Sequence, residues 1–99
     1  MRSREIKGIL ETVRPVRGER VILFLTPGPD RVAAIAGKRV GGAVQRNRAR
    51  RVLRAAWQQA AQAARGRDAV LVARAPIVGA KSQDLVDEMT ELLSGNERP

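Results

Sequence analysis

The chain has no cysteine and no histidine. Disulfide bridges, a thiolate nucleophile, the commonest general base and the usual zinc ligands are therefore excluded, and most enzyme classes that work through side-chain chemistry go with them. Aromatic residues make up 2% of the composition, as Phe24 and Trp57 with no tyrosine. A surface that holds single-stranded nucleic acid by stacking bases has few platforms to draw on. No apolar run approaches the roughly 18 to 20 residues that cross a bilayer, and residues 1–5 lack the apolar core of a secretory signal. A soluble, cytoplasmic chain with no membrane partner is the expectation. Its 99 residues, 43% of them hydrophobic, are enough for one modest core, hence for a single domain spanning residues 1–99.

Acidic residues are also missing from one long stretch. Between Arg31 and Arg67 there is no aspartate or glutamate, while Arg31, Lys38, Arg39, Arg46, Arg48, Arg50, Arg51, Arg54, Arg65 and Arg67 all fall within it. That segment carries more positive charge than the chain's net +9, so the rest of the molecule is close to neutral. The density peaks at Arg46, Arg48, Arg50, Arg51 and Arg54. Arg46 with Arg50, and Arg50 with Arg54, are like-charge pairs at helical spacing, each unfavourable by a few tenths of a kcal/mol in an isolated helix. A solvated face usually mixes signs, and folding alone gives no reason to keep these repulsions. Phosphate does, because a guanidinium donates two parallel hydrogen bonds and each neutralised phosphate releases counterions. The implied partner is a nucleic acid.

Periodicity gives the elements. Ile6, Ile9, Leu10 and Val13 follow the i, i+3, i+4, i+7 pattern behind Ser3 as a cap, which predicts a helix over about 4–12. Pro15 ends it, and Val16 with Arg17 can form a brief extended segment before Gly18. Val21, Ile22, Leu23, Phe24 and Leu25 read as a strand closed by Pro27, Gly28, Pro29 and Asp30, with a second strand over about 31–36. The short turn between them suggests an antiparallel hairpin. Gly37, Gly41 and Gly42 bracket Lys38 and Arg39 in a loop of unobstructed backbone. A long helix over about 43–64 then sets Ala49, Val52, Leu53, Ala56, Ala60, Ala63 and Ala64 on one stripe with Trp57 at its border. Asn47, Arg50, Arg51 and Arg54 lie opposite that stripe, flanked by Arg46 and Arg48. Gly66 closes the helix, residues 69–73 read as a buried strand, and a last helix runs over about 82–93, capped by Ser82 and ended by Gly95 with a fraying tail at 96–99. The order helix, three strands, helix, strand, helix describes an α+β sandwich of helices on a small mixed sheet.

Other candidates are weaker. Trp57 reads as a packing residue. Asn47 offers an amide toward a base edge or sugar, or serves as a helix cap. Asp84, Asp87, Glu88 and Glu91 at helical spacing suggest a magnesium site, but are better read as the exposed, charge-balancing side of the last helix. No catalytic residue and no metal ligand is assigned.

The segment running from Gly37, Lys38, Arg39, Val40, Gly41, Gly42, Ala43, Val44, Gln45 through Arg46, Asn47, Arg48 to Trp57 resembles the signature of the bacterial ribonuclease P protein subunit. The shared pattern is a basic pair, Val-Gly-x-Ala-Val, and an Arg-Asn-Arg box on a basic helix, and the flanking elements also fit. The resemblance implies a ribosomal-protein-S5-like αβββαβα sandwich with a left-handed βαβ crossover. It implies the protein subunit of a ribozyme that removes the 5′ leader of precursor transfer RNA, with magnesium, bound mainly by the RNA subunit, cleaving the phosphodiester; no protein partner is implied. Lys38, Arg39, Arg46, Asn47, Arg48, Arg50, Arg51 and Arg54 would then contact the RNA subunit. Ile6, Ile9, Leu10 and Phe24 would border the leader. The chain departs from the pattern at Ile6, Ile9 and Leu10, where relatives often carry aromatics, at Gly42, commonly asparagine, and in its short N-terminus. Competing readings of the basic helix are a general RNA-binding module without processing activity, a DNA-binding regulator with the helix in the major groove, and a membrane-surface helix, whose mostly alanine stripe is too small to anchor.

Overall fold

A computed structural model describes residues 1–63 and 65–95. The chain runs α1 (Ser3–Thr12), β1 (Val16–Arg17), β2 (Val21–Pro27), β3 (Val32–Ile35), α2 (Ala43–Ala60), β4 (Arg67–Ala73) and α3 (Ser82–Leu93), with short 3₁₀ turns at Lys38–Val40, Ala61–Ala63 and Ala75–Ile77. This is the expected α+β order. Arg2 and Lys81, rather than Ser3 and Ser82, are the residues before α1 and α3. Capping of α3 runs in reverse, the Lys81 N–H donating to Oδ2 of Asp84 at 2.9 Å. Ala64, part of the expected alanine stripe, and the tail at 96–99 lie outside the described residues.

One pairing differs from expectation. β2 and β3 do not form a hairpin. β4 lies between them, antiparallel to β2 with Leu23 opposite Leu71 and parallel to β3 with Ala34 opposite Leu71, giving the order β1-β2-β4-β3. The turn after β2 therefore spans the width of an inserted strand. It is tied to β4 by Asp30, whose Oδ1 accepts the Gly66 N–H at 2.7 Å, while Gly66 in turn accepts from the Gly28 N–H at 3.0 Å.

The sheet has two covered faces, and strand alternation separates them. Val21 and Leu23 of β2, Ala34 of β3, and Ala69, Leu71 and Ala73 of β4 join the buried cluster with Ala49, Leu53, Ala56 and Trp57 of α2 and Leu85, Met89 and Leu92 of α3. Trp57 is in this core, not at its border. The alternate residues face the other way: Ile22 and Phe24, Ala33 and Ile35, Asp68, Val70 and Val72. Helix α1 lies across β2 and β4 on that side, so Val70 and Ala33 are buried there although neither belongs to the main cluster.

Candidate nucleic-acid interface

Helix α2 owes its position to Ala49, Leu53, Ala56 and Trp57, which commit one side to the sheet and α3. The helical period then forces the intervening residues outward. Asn47, Arg48, Arg51 and Arg54 are exposed, Arg46 and Arg50 partly so, and Lys38 and Arg39 are exposed on the turn just before the helix. None of these seven cations lies within 4.0 Å of a carboxylate among the described residues. The eight residues expected at one surface are brought together on α2 and its N-terminal approach.

Several of these side chains are held in place. Gly41, at φ +132°, turns its carbonyl to accept from Arg46 Nε at 3.0 Å. A β-carbon at Gly41 would meet the Cβ of Gln45 at 3.2 Å, and the left-handed backbone already favours glycine. Arg48 Nη2 donates to the Ala80 carbonyl at 2.9 Å, tying the Arg-Asn-Arg box to the segment before α3. Asn47 accepts from Arg50 Nη2, and since Asn47 lies inside α2 its capping alternative is set aside. Arg51 and Arg54 have no such tether. The surface thus combines orientated forks at Arg46, Arg48 and Arg50 with untethered ones at Arg51 and Arg54, none of them paired with a carboxylate among the described residues.

The opposite face of the sheet forms a second feature. Beyond the part that α1 covers, an open cleft of 590 Å³ has Ile22, Ile35 and Val72 as its aliphatic floor, with Lys38, Arg39 and Arg74 at its rim. Arg74 is held by the Gly18 carbonyl, to which its Nη1 donates at 2.7 Å. Ile6, Ile9 and Phe24 are half-buried where α1 meets the sheet, and Leu10 is 37% exposed. None of these four lines the cleft. The floor residues and Arg74 were not singled out from the sequence, although alternation along β2 and β4 places Ile22 and Val72 on the side opposite the core.

The acidic residues correct one expectation. Glu88 is not on the exposed side of α3. Its side chain is 10% exposed, and its carboxylate accepts from the Arg20 and Val21 N–H groups at 2.8 and 3.1 Å and from the Arg20 guanidinium at 3.2 Å. Among the described residues, no three acidic side chains converge as metal ligands would. Asp68 is 3% exposed, facing α1. It accepts from Arg31 N, Nε and Nη2 at 2.8, 3.2 and 2.8 Å. Those hydrogen bonds hold its carboxyl below the ordinary 3.8 against the opposing effect of burial. Arg31 also bridges to Glu5 of α1 at 2.8 Å, so the first helix is pinned to the sheet through one guanidinium.

The ribonuclease P family model matches residues 1–96. A ribonuclease P protein component from Nitratiruptor sp. is 43% identical over 79 residues, which is 78% of this chain and 72% of the relative; one from Coprothermobacter proteolyticus is 47% identical over 45 residues, 44% and 38% of the two. Among solved structures, the ribonuclease P protein of Thermotoga maritima superimposes with a TM-score of 0.81 over 99% of this chain and 97% of the other at 17% identity, and that of Staphylococcus aureus with 0.77 over 95% and 90% at 16%. At those identities the superpositions bear on fold, and they agree with the four-stranded mixed sheet and three helices. The family model covers the basic helix together with nearly all the rest of the sequence, and on that evidence the chain belongs to the ribonuclease P protein family.

Proposed function

We propose that this chain is the protein subunit of a ribonuclease P, binding the catalytic RNA through Lys38, Arg39, Arg46, Asn47, Arg48, Arg50, Arg51 and Arg54 and assisting removal of the 5′ leader from precursor transfer RNA. Membership of the family implies RNA binding and transfer RNA processing. The single observation that carries the finer reading is the acid-free cationic side of α2, whose guanidiniums are orientated by carbonyls and an amide rather than neutralised. Five-donor forks left without carboxylates and aimed by neutral acceptors are ready for phosphate oxygens.

The leader, in this reading, follows the face of the sheet where α1 docks and passes into the cleft floored by Ile22, Ile35 and Val72. Arg74 takes its phosphates, and Ile6, Ile9, Leu10 and Phe24 border the covered end. With a floor of aliphatic side chains, contact with the bases is apolar and weakly selective compared with aromatic stacking. Magnesium supplies the Lewis acid and the activated water for phosphodiester hydrolysis when bound. The carboxylates Asp68 and Glu88 are occupied by arginine and backbone donors; in this reading the ions sit on RNA phosphates and this chain binds and places the strands.

The experiment is reconstitution. Mixed with a bacterial ribonuclease P RNA and precursor transfer RNA at low magnesium, the chain should restore cleavage and bind precursor more tightly than mature transfer RNA. RNA binding without restored cleavage would leave only a general RNA-binding module.

A further inference from the structure

Beyond the C-terminal end of α2 lies a second cationic feature that the segment Lys38 to Arg54 does not include. Arg65 and Arg67 are exposed and, among the described residues, neither is within 4.0 Å of a carboxylate. They flank Gly66, at φ +83°, whose N–H and C=O are both taken by the turn at residues 28–30. Asp30, itself at φ +62°, spends its carboxylate on the Gly66 and Arg67 backbone N–H groups, at 2.7 and 3.4 Å, and not on a guanidinium. The loop is buttressed from behind, and neither guanidinium is within 4.0 Å of the Asp30 or Asp68 carboxylate. Together with Trp57, Gln58, Gln62 and Asp30, whose carboxylate is held by the backbone N–H groups, they line a hollow of 370 Å³.

This hollow adjoins the cationic face of α2. Asn47, Arg51, Arg54 and Gln58 are spaced four, three and four residues apart, which keeps them within about 60° on one side of the helix and spreads them over about 16 Å. All four are exposed. The ridge is polar from end to end and leads from the Arg-Asn-Arg box to the 65–67 loop.

We infer that residues 65–67, with Gln58 and Gln62, form a second RNA-contact site that holds the sugar-phosphate backbone of a duplex segment of the RNA bound at Arg46 to Arg54. The inference rests on the RNA-binding reading above. A duplex fits because the hollow offers two guanidiniums for phosphates and two amides that donate to and accept from ribose hydroxyls, the groups that an A-form minor groove displays. It offers no stacking platform, since Trp57 is 7% exposed. The ridge then lies along the helical RNA with both its ends anchored.

The test compares two double variants for binding to a bacterial ribonuclease P RNA across a salt series. Each lost phosphate contact lowers the slope of log affinity against log salt by about 0.7 to 0.9. Arg65→Ala with Arg67→Ala should lower it by about 1.4 to 1.8 at an unchanged thermal midpoint, and lysine at both positions should restore it. An unchanged slope in this variant, with a reduced slope for Arg51→Ala with Arg54→Ala, overturns the second site and leaves the RNA-binding reading intact. If neither variant changes the slope, both fail. Because the chain has no cysteine, Gln62→Cys can carry a single iron-chelate cleavage reagent. Cuts in base-paired RNA are expected, and cuts confined to unpaired loops overturn the duplex assignment.

Discussion

Replacing Asp68 by asparagine removes the one buried charged side chain found among the described residues. The carboxylate accepts three hydrogen bonds from Arg31. An amide keeps one acceptor for the Arg31 N–H and presents either a neutral oxygen or an NH₂ to the guanidinium. Hydrogen bonds to charged groups contribute about 1.5 to 3 kcal/mol each and are not additive when they share a partner. The Arg31 side chain is 44% exposed, and water compensates part of the loss. We therefore expect Asp68→Asn to destabilise the fold by about 2 to 3 kcal/mol at neutral pH, a fall of roughly 10 to 20 °C in Tm for a domain of this size. The carboxyl titrates below 3.8 when folded, so its contribution is complete above that unfolded value and is lost as pH falls through the folded one. Urea unfolding followed by circular dichroism at pH 7 and pH 3 should show wild type and variant converging at the lower pH. A difference that is as large at pH 3 as at pH 7 would refute the argument, because it would place the effect in packing and not in charge. Glu5→Gln, which cuts only the exposed end of the same bridge, should change stability little.

Other outcomes follow from the same geometry. Lysine at Arg46 and Arg48, whose planar forks are aimed by the Gly41 and Ala80 carbonyls, should weaken RNA binding several-fold in a filter-binding titration. Lysine at the untethered Arg51 and Arg54 should not. Gly18→Ala drives a β-carbon into Glu88 Oε2 and to 2.9 Å from the Val21 carbonyl oxygen. Overpacking at such a site destabilises by about 1 to 3 kcal/mol, read from urea midpoints. Leu53→Ala, at 0% exposure between the sheet and α3, should be destabilising by about 2 to 5 kcal/mol in the same assay.

The basic side of α2 was legible because periodicity and sign both speak: alanine and leucine recur at helical spacing, and no acid interrupts the arginines. The seven segments were legible for a similar reason, each being bounded by proline, glycine or a change of period. Strand neighbours were not. Val21 to Leu25 and the run after Arg31 have the local look of a hairpin, and the competitor that displaces it, β4, lies more than thirty residues further on, where no local rule reaches. Burial of Glu88 was within reach. At 100° per residue it sits about 60° from Leu85 and about 40° from Leu92, on the edge of the buried stripe, and the habit of assigning carboxylates to solvent obscured it. Asp68 stands just before the apolar run with no periodic mark of burial, and only the three-dimensional register puts it beneath Arg31. The cleft floor was hidden because a continuous apolar run conceals which alternate positions face a second layer.

The insertion of β4 has a consequence for how the molecule comes into being. Both long-range pairings of the sheet, β2 with β4 and β3 with β4, wait for residues 67–73 to leave the ribosome. Until then β3 has no neighbour and the nascent chain owns only the short ribbon of β1 and β2. Non-local closure of this kind slows folding, while the arginine-laden helix is already synthesised and free to meet polyanions. The basic helix is thus complete before the strand that closes the sheet has been made.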